Sequence, residues 1–128
     1  MMPAPATSSP RSRSHAPDAR VLVVDDDRDL RDTVTAALER EGYRVRCAEN
    51  GAQALAVMHG YVPAAMVLDL SMPVMSGWEL IEIVHEMREL RTMQLVVLSG
   101  MRAPAGVEQL RKPVTIDELV ATLDRLCP

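Results

Sequence analysis

Short apolar runs alternate along the chain with longer segments in which apolar residues recur at helical spacing. Three runs, Val21-Leu22-Val23-Val24, Met66-Val67-Leu68 and Leu95-Val96-Val97-Leu98, have no polar interruption, which is typical of strands covered on both faces. The pattern predicts strands at residues 20–24, 43–47, 64–68, 93–98 and 107–111, and helices at residues 27–41, 51–59, 78–90 and 115–126. The last helix opens with Thr115-Ile116-Asp117-Glu118, a capping box in sequence.

The alternation of strands and helices predicts right-handed crossovers and an α/β fold with a doubly wound parallel sheet. The pattern breaks after Ser99, because only residues 100–111 separate it from Lys112. A crossover that includes a helix needs at least ~10–12 residues before any strand is counted. If residues 107–111 form the fifth strand, the helix before them must be shortened or missing.

Length and composition indicate one folded domain at residues 20–127. The 128 residues, 48% of them hydrophobic, suffice for a core without disulfides or metals. Residues 1–19 contain four Pro, four Ser and no apolar stretch. They are therefore expected to form a disordered arm, with a misassigned start or a short docking segment as alternatives.

Charge and cysteine usage narrow the class of protein. The formal charge is -4 and residues 1–19 contribute +1, so the remainder carries -5, which argues against nucleic acid as a partner. Cys47 and Cys127 match neither a disulfide framework nor a zinc pattern, and this favours a cytoplasmic protein. No apolar run approaches the ~20 residues of a membrane span, so no membrane association is expected.

Residues with candidate chemistry follow four of the predicted strands. Asp25-Asp26-Asp27 follows the first strand, Asp69 the third, Ser99 the fourth, and Lys112, the only lysine in the chain, the fifth. In an open parallel sheet, ligands bind outside the carboxyl ends of the strands. Clustered carboxylates suit Mg²⁺, and Asp69 could then carry an aspartyl-phosphate beside the Lys112 ammonium and the Ser99 hydroxyl. Each residue alone has an ordinary explanation, such as an acidic helix start or a turn.

Taken together, these motifs resemble the receiver domains of two-component response regulators. The resemblance rests on Asp25-Asp26, on the run Asp69-Leu70-Ser71-Met72-Pro73-Val74-Met75-Ser76-Gly77, on Ser99-Gly100 and on Lys112-Pro113. It covers about residues 20–126. It implies a flavodoxin-like five-stranded sheet in the order 2-1-3-4-5. This order is taken from the family, a member of which is itself a standard example of such sheets.

The resemblance also implies a role for each matching residue. Asp69 corresponds to the phosphoacceptor, and Asp25 and Asp26 to the acidic pair that binds Mg²⁺ together with Asp69 and the backbone carbonyl of Ser71. Ser99 corresponds to the switch hydroxyl and Lys112 to the phosphate-contacting lysine, before Pro113 as a cis-proline.

Two departures from the family pattern concern signal output rather than phosphorylation. Members usually have a full helix where residues 100–106 stand, and an aromatic switch residue three positions before the lysine, where this chain has Gln109. We therefore expect any phosphorylation signal to be expressed by ordering of the segment 99–106. Family members usually form a symmetric dimer through the face made by the fourth helix, the fifth strand and the fifth helix. Without a full fourth helix this dimer should not form, so the protein is expected to be a monomer.

Three functions remain open from the sequence. The first is a stand-alone, non-enzymatic receiver without an effector domain, phosphorylated on Asp69 by a sensor histidine kinase or a phosphotransfer protein and signalling to a downstream protein. The second is a phosphorylation-independent interaction module, which the lost helix and Gln109 favour. The third is a phosphohydrolase such as the haloacid dehalogenases. The sequence Asp69-Leu70-Ser71 disfavours it, because that family has a second acid at the last position.

Overall fold

A five-stranded sheet flanked by helices organises the part of the chain that the computed structural model describes, residues 19–72, 74–100 and 107–127. The strands are β1 (Arg20–Val24), β2 (Arg44–Ala48), β3 (Ala65–Leu68), β4 (Gln94–Ser99) and β5 (Glu108–Arg111). The helices are α1 (Arg28–Arg40), α2 (Gly51–Val57), α3 (Gly77–His85) and α4 (Ile116–Leu126), with a 3-10 turn at Arg88–Leu90. The predicted arm lies outside the described residues, apart from Ala19, which is buried.

All strands are parallel and lie in the order β2-β1-β3-β4-β5. The predicted α/β class, the parallel sheet and the flavodoxin-like order are therefore confirmed. The side chains of β1 explain why the apolar runs are uninterrupted. Val21 and Val23 pack on the face covered by α1 and α4, whereas Leu22 and Val24 pack on the face covered by α2 and α3. Because both faces are covered, the four positions after Arg20 are all apolar and buried.

Helix starts follow the side-chain capping expected from the sequence. The capping box predicted at Thr115 is present, since its hydroxyl accepts from the Glu118 N–H and the Glu118 carboxylate accepts from the Thr115 N–H. A second capping box, between Ser76 and Glu79, starts α3. These caps satisfy N–H groups that have no partner inside the helix.

The helix predicted at residues 78–90 is wrong as one continuous element. It ends at His85, and Met87 has an extended conformation (φ -92°, ψ 113°) before the 3-10 turn begins. The physical reason is the burial of Leu90, which is 2% exposed. In a continuous helix, with about 3.6 residues per turn, Leu90 would lie well away from the buried stripe of Leu80, Ile81 and Val84. Breaking the helix turns Leu90 into the core.

The connection between β4 and β5 is short, as predicted. Ser99 ends β4 and Glu108 starts β5, so residues 100–107 make the crossover between two adjacent parallel strands. This is fewer than the ~10–12 residues that a crossover with a helix requires. The part of the chain that the structure describes has four α-helices, where full alternation with five strands would give five. The segment 101–106, on which the predicted ordering falls, lies outside the described residues.

The longest described helix, α1, has 13 residues, and none of the described helices is both long and apolar enough to span a membrane.

Candidate functional site

Four strand ends converge at one edge of the sheet. Val24 at the end of β1 pairs in register with Leu68 at the end of β3, and Leu68 pairs with Val97 near the end of β4. An aspartate directly follows each of these two strands: Asp25 follows β1 and Asp69 follows β3. The alternation of strands and helices thus places at one edge side chains that lie far apart in sequence.

Three carboxylates form a cluster at this edge. One oxygen from each of Asp25, Asp26 and Asp69 lies within 4.8 Å of the others. Asp25 is buried and Asp26 is exposed, while the side chain of Asp69 is 12% exposed. Burial raises the pKa of Asp25, and the charge of Asp69 raises it further, against the lowering effects of the Asp27 N–H and Lys112. The cluster is therefore electrostatically unfavourable when its carboxylates are all ionised.

Lys112 provides the cation nearest to Asp69 in the described part of the chain. Its Nζ lies 3.5 Å from Oδ2 of Asp69, and its side chain is 40% exposed. The other oxygen, Oδ1, accepts from the backbone N–H of Ser71 at 3.3 Å. Both oxygens of Asp69 are thus held by donors from different loops. The Lys112–Pro113 peptide bond is cis.

Ser99 ends β4 beside this cluster and is 3% exposed. Its carbonyl accepts from the backbone N–H of Lys112 at 3.3 Å and from Nε2 of Gln109 at 3.4 Å. Gln109, which stands where the family usually has an aromatic residue, therefore connects the end of β4 to β5 through a hydrogen bond.

The structure brings together the predicted residues Asp25, Asp26, Asp69 and Lys112. It places Ser99 at the end of β4 and Ser71 in the loop after β3. For Ser71 it shows an N–H contact to Asp69, so the predicted role of its carbonyl stays a prediction.

Arg31 is a residue that sequence reasoning missed. Its Nη1 donates to the carbonyl oxygen of Asp25 at 2.7 Å, from the first turn of α1. This contact fixes the loop that carries the acidic pair. A basic residue near a helix N-terminus opposes the helix dipole. The position of Arg31 near the start of a predicted helix could therefore have indicated, from sequence alone, that its side chain has a partner outside the helix.

The loop between β3 and α3 contains a strained residue. Val74 has φ 69° and is 81% exposed. A β-branched residue in this left-handed region is an outlier, costing roughly 1–2 kcal/mol relative to an ordinary conformation. The strain lies in the loop that follows Asp69, where the chain turns sharply into α3.

Gly77 allows the N-terminus of α3 to pack directly against the backbone of this loop. Its N–H donates to the carbonyl of Leu70 at 2.9 Å. A Cβ at this position would lie 2.5 Å from the carbonyl oxygen of Asp69 and 2.7 Å from Cα of Leu70. Because both atoms belong to the backbone, neither can move away without displacing Asp69.

We predict that Gly77→Ala lowers the free energy of unfolding by about 1–3 kcal/mol, the usual scale of overpacking. The substitution should also slow any reaction at Asp69. Denaturant unfolding measures the first effect. Gly100→Ala is the matched control, since its added Cβ meets no atom within 4 Å. Equal stability of the two variants would contradict the close packing at Gly77.

The donor set of the cluster fits a hard divalent cation. Mg²⁺ prefers carboxylate oxygens and water, usually with one or two protein carboxylates. The two aspartates that follow β1 and the one that follows β3 offer such oxygens at one point, and their mutual repulsion is a reason for the site to take a cation.

Comparison with known proteins agrees with the fold. Residues 21–124 match the family model of the response regulator receiver domain. The chain therefore belongs to the receiver domains of response regulators, which are generally non-enzymatic signalling modules of two-component systems.

Individual relatives are similar at the level of one domain. A 14.6 kDa protein of Leptolyngbya boryana is 34% identical over 116 residues, which cover 84% of this chain and 88% of that protein. Response regulator MprA of Mycobacterium sp. (strain KMS) is 34% identical over 121 residues, covering 84% of this chain but 50% of MprA. The chain thus spans about half the length of that regulator.

Among solved structures, the chemotaxis response regulator CheY4 of Vibrio cholerae superposes with a TM-score of 0.78 and 30% identity, covering 84% of this chain and 98% of CheY4.

Proposed function

We propose that this receiver domain accepts a phosphoryl group on Asp69 from a sensor histidine kinase or a phosphotransfer protein. The observation that carries the proposal is the environment of Asp69. One oxygen of its carboxylate faces Lys112 at 3.5 Å, and the carboxylate lies in a cluster with Asp25 and Asp26. A nucleophile placed between a cation and a divalent-metal site suits phosphoryl transfer.

In the proposed reaction, a carboxylate oxygen of Asp69 attacks the phosphorus of the phosphodonor. A P–O bond forms as the bond from phosphorus to the donor nitrogen breaks, and the leaving imidazole keeps that electron pair and takes up a proton. Lys112 neutralises charge on the phosphoryl oxygens, and the Ser99 hydroxyl donates a hydrogen bond to one of them. When bound, Mg²⁺ supplies further positive charge to the phosphoryl oxygens.

Asp25, Asp26, Asp69 and the carbonyl of Ser71 would hold the ion. Mg²⁺ keeps several waters in a site with so few protein ligands, so its affinity should be weak. We infer further that the receiver domain spans residues 20–127, that the protein is a cytoplasmic monomer, and that it signals by binding a downstream protein.

A second candidate function is a phosphorylation-independent interaction module. Gln109, in place of an aromatic switch, and the short β4–β5 connection favour it. In this case the acidic cluster would be a remnant and Asp69 would stay unmodified.

The deciding experiment measures covalent modification. Wild-type protein is incubated with Mg²⁺ and acetyl phosphate, and its intact mass is recorded beside that of Asp69→Asn. We expect wild type to gain the mass of one phosphoryl group and the variant to gain nothing. An unmodified wild type under saturating donor, with Mg²⁺ binding shown separately, would favour the interaction module.

A further inference from the structure

Three arginines and a tyrosine form an exposed basic surface at the opposite end of β1 from the carboxylate cluster. Arg20 in β1 lies opposite Arg44 in β2, and Arg46 follows two residues later on the same face of the strand. All three arginines are exposed, and Tyr61, in the connection between α2 and β3, is half-buried beside them. We call Arg20, Arg44, Arg46 and Tyr61 the arginine patch.

Tyr61 lies against two of the three guanidinium groups. The Cζ atom of Arg46 lies 4.2 Å from the centroid of the tyrosine ring, and that of Arg20 lies 5.4 Å from it. Both distances are within the range of cation–π attraction. In the part of the chain that the structure describes, the arginines of the patch make no ion pair, whereas Arg28, Arg125 and Lys112 do. The patch therefore keeps like charges close together, with no described carboxylate at ion-pair distance from them.

The patch flanks the open edge of the sheet. Among the described residues, β2 pairs with β1 alone. The N–H of Arg44 donates to the carbonyl of Ala19, and the carbonyl of Ala48 accepts from the N–H of Asp25. The backbone groups of the even-numbered residues of β2 therefore point toward β1. The backbone groups of Val45 and Cys47 consequently point away from the sheet, where a further strand could bind them.

The space beside this edge is wide enough for an extended chain. A cavity of about 960 Å³ lies there, lined by Arg44 and Arg46 from one face of β2 and by Tyr43 and Val45 from the other. Because the cavity includes both faces of the strand, a segment lying along the edge would place alternate side chains on each face. One set would meet arginines, and the other would meet Val45 and Tyr43.

We propose that the β2 edge binds a short, extended acidic segment of a partner protein. The segment adds a strand beside β2, so that its backbone pairs with Val45 and Cys47 and its alternate carboxylates contact Arg44 and Arg46. Main-chain hydrogen bonds supply affinity in such strand addition, and the side chains supply specificity. Arginine suits this role, since its planar fork bonds a carboxylate through two N–H groups.

An acidic peptide fits the patch better than a nucleic acid does. Non-specific binding of a single strand relies on bases stacked on aromatic rings, but the ring of Tyr61 already has Arg46 stacked on it. The chain from residue 20 onward carries a net charge of -5, and Glu39 lines the same cavity. A phosphate backbone longer than the patch would therefore meet repulsion that a short acidic segment avoids.

The patch is separate from the phosphorylation site. Arg20 begins β1 and Asp25 follows its end, so the two are five residue steps apart along the strand, about 16 Å. Binding at the β2 edge should thus be retained in Asp69→Asn. This makes failure of the present proposal distinguishable from failure of phosphoryl transfer at Asp69.

The test uses the full chain and a fluorescent peptide in which Glu alternates with Thr. We expect saturable binding that raises the amide-exchange protection of Val45 and Cys47. Arg44→Gln and Arg46→Gln should each weaken binding about tenfold, the scale of one charge-assisted hydrogen bond. Tyr61→Phe, which keeps the ring, should bind as wild type does, whereas Tyr61→Leu should bind more weakly. Arg91→Gln, an exposed arginine outside the patch, is the matched control.

Any of four results would overturn the proposal. The first is equal affinity for a peptide with Gln in place of Glu. The second is tighter binding of a single-stranded oligonucleotide of the same charge, which would assign the patch to nucleic acid. The third is binding that leaves Val45 and Cys47 unprotected or is insensitive to both arginine substitutions. Absence of any binding would equally refute it, and would leave the arginines as charges that keep the sheet edge from aggregating.

Discussion

Replacing Asp25 with asparagine should stabilise the metal-free protein and abolish its stabilisation by Mg²⁺. Asp25 is 4% exposed, and its carboxylate lies in the cluster with Asp26 and Asp69. Its Oδ1 accepts from the Asp27 N–H at 2.9 Å, a bond that an asparagine oxygen can also accept. The substitution therefore removes a buried charge while keeping the local hydrogen bond. We expect a gain of about 1 kcal/mol or more, since about 1 kcal/mol is the repulsion between two like unit charges about 4 Å apart in bulk water.

The effect should depend on pH in a defined direction. Burial, and then the charge of Asp69, raise the pKa of Asp25 above its ordinary value, so the folded state binds this proton more tightly than the unfolded state does. The stability that comes from the protonated form is lost as the pH rises through the raised pKa. The advantage of Asp25→Asn should thus be absent in acid, where Asp25 is protonated, and should grow toward neutral pH.

Thermal unfolding with EDTA and with Mg²⁺, at several pH values, measures both effects. Wild type should be stabilised by Mg²⁺, and Asp25→Asn should not. Asp29→Asn is the matched control, because Asp29 is an exposed acid in the first turn of α1. Its substitution should leave the response to Mg²⁺ unchanged and slightly weaken the helix start. A less stable Asp25→Asn that still responds to Mg²⁺ would contradict the assignment of the cluster.

The strands and the position of the candidate site could be predicted because both follow from simple patterns. A strand covered on both faces must be apolar throughout, so Val21-Leu22-Val23-Val24 is visible in sequence. In a parallel sheet the carboxyl ends meet at one edge, so Asp25, Asp69 and Lys112 could be placed together before the structure was known. The strand order itself came from the family resemblance.

What could not be predicted depends on contacts between segments that are distant in sequence. The break in α3 arises because Leu90 packs into the core from a position that a continuous helix would turn away from it. The need for glycine at Gly77 comes from the approach of α3 to the backbone of Asp69 and Leu70. Periodicity describes which residues are buried, but not how closely two backbones pass.

The arginine patch could not be predicted either, because it also depends on contacts between segments that are distant in sequence. Arg44 and Arg46 have strand spacing, but nothing local indicates that Arg20 lies beside Arg44. Tyr61 joins them through the connection between α2 and β3. A parallel register is needed to bring the first residue of β1 to the first residue of β2.

Lys112→Arg should retain the fold and lose most of the structural change that follows phosphorylation. Lys112 is 40% exposed, so a larger side chain can be accommodated without disturbing the core. Its ammonium lies 3.5 Å from Asp69, however, and a compact, three-donor group beside a phosphoryl oxygen is not equivalent to a planar fork. The guanidinium would have to displace its neighbours to reach the same oxygen.

The structure indicates which residues should report the structural change that Lys112→Arg loses. The N–H of Lys112 and the side chain of Gln109 both donate to the carbonyl of Ser99, so a shift of Ser99 toward the phosphoryl group would strain or break these bonds. Under the proposed function, phosphorylation would add charge-assisted contacts that bias a two-state element at the ends of β4 and β5. Exchange of the amides of Gln109 and Lys112 should therefore respond to the phosphoryl mimic beryllofluoride.

Amide exchange of wild type and Lys112→Arg, each with Mg²⁺ and with or without beryllofluoride, measures this directly. Arg111→Lys is the matched control, since Arg111 is the exposed basic residue next to Lys112. It should respond to beryllofluoride as wild type does, because its side chain is not the one that faces Asp69. A Lys112→Arg response equal to that of wild type would mean that a positive charge suffices here. The choice of the only lysine in a chain with thirteen arginines would then have no chemical cause at this site.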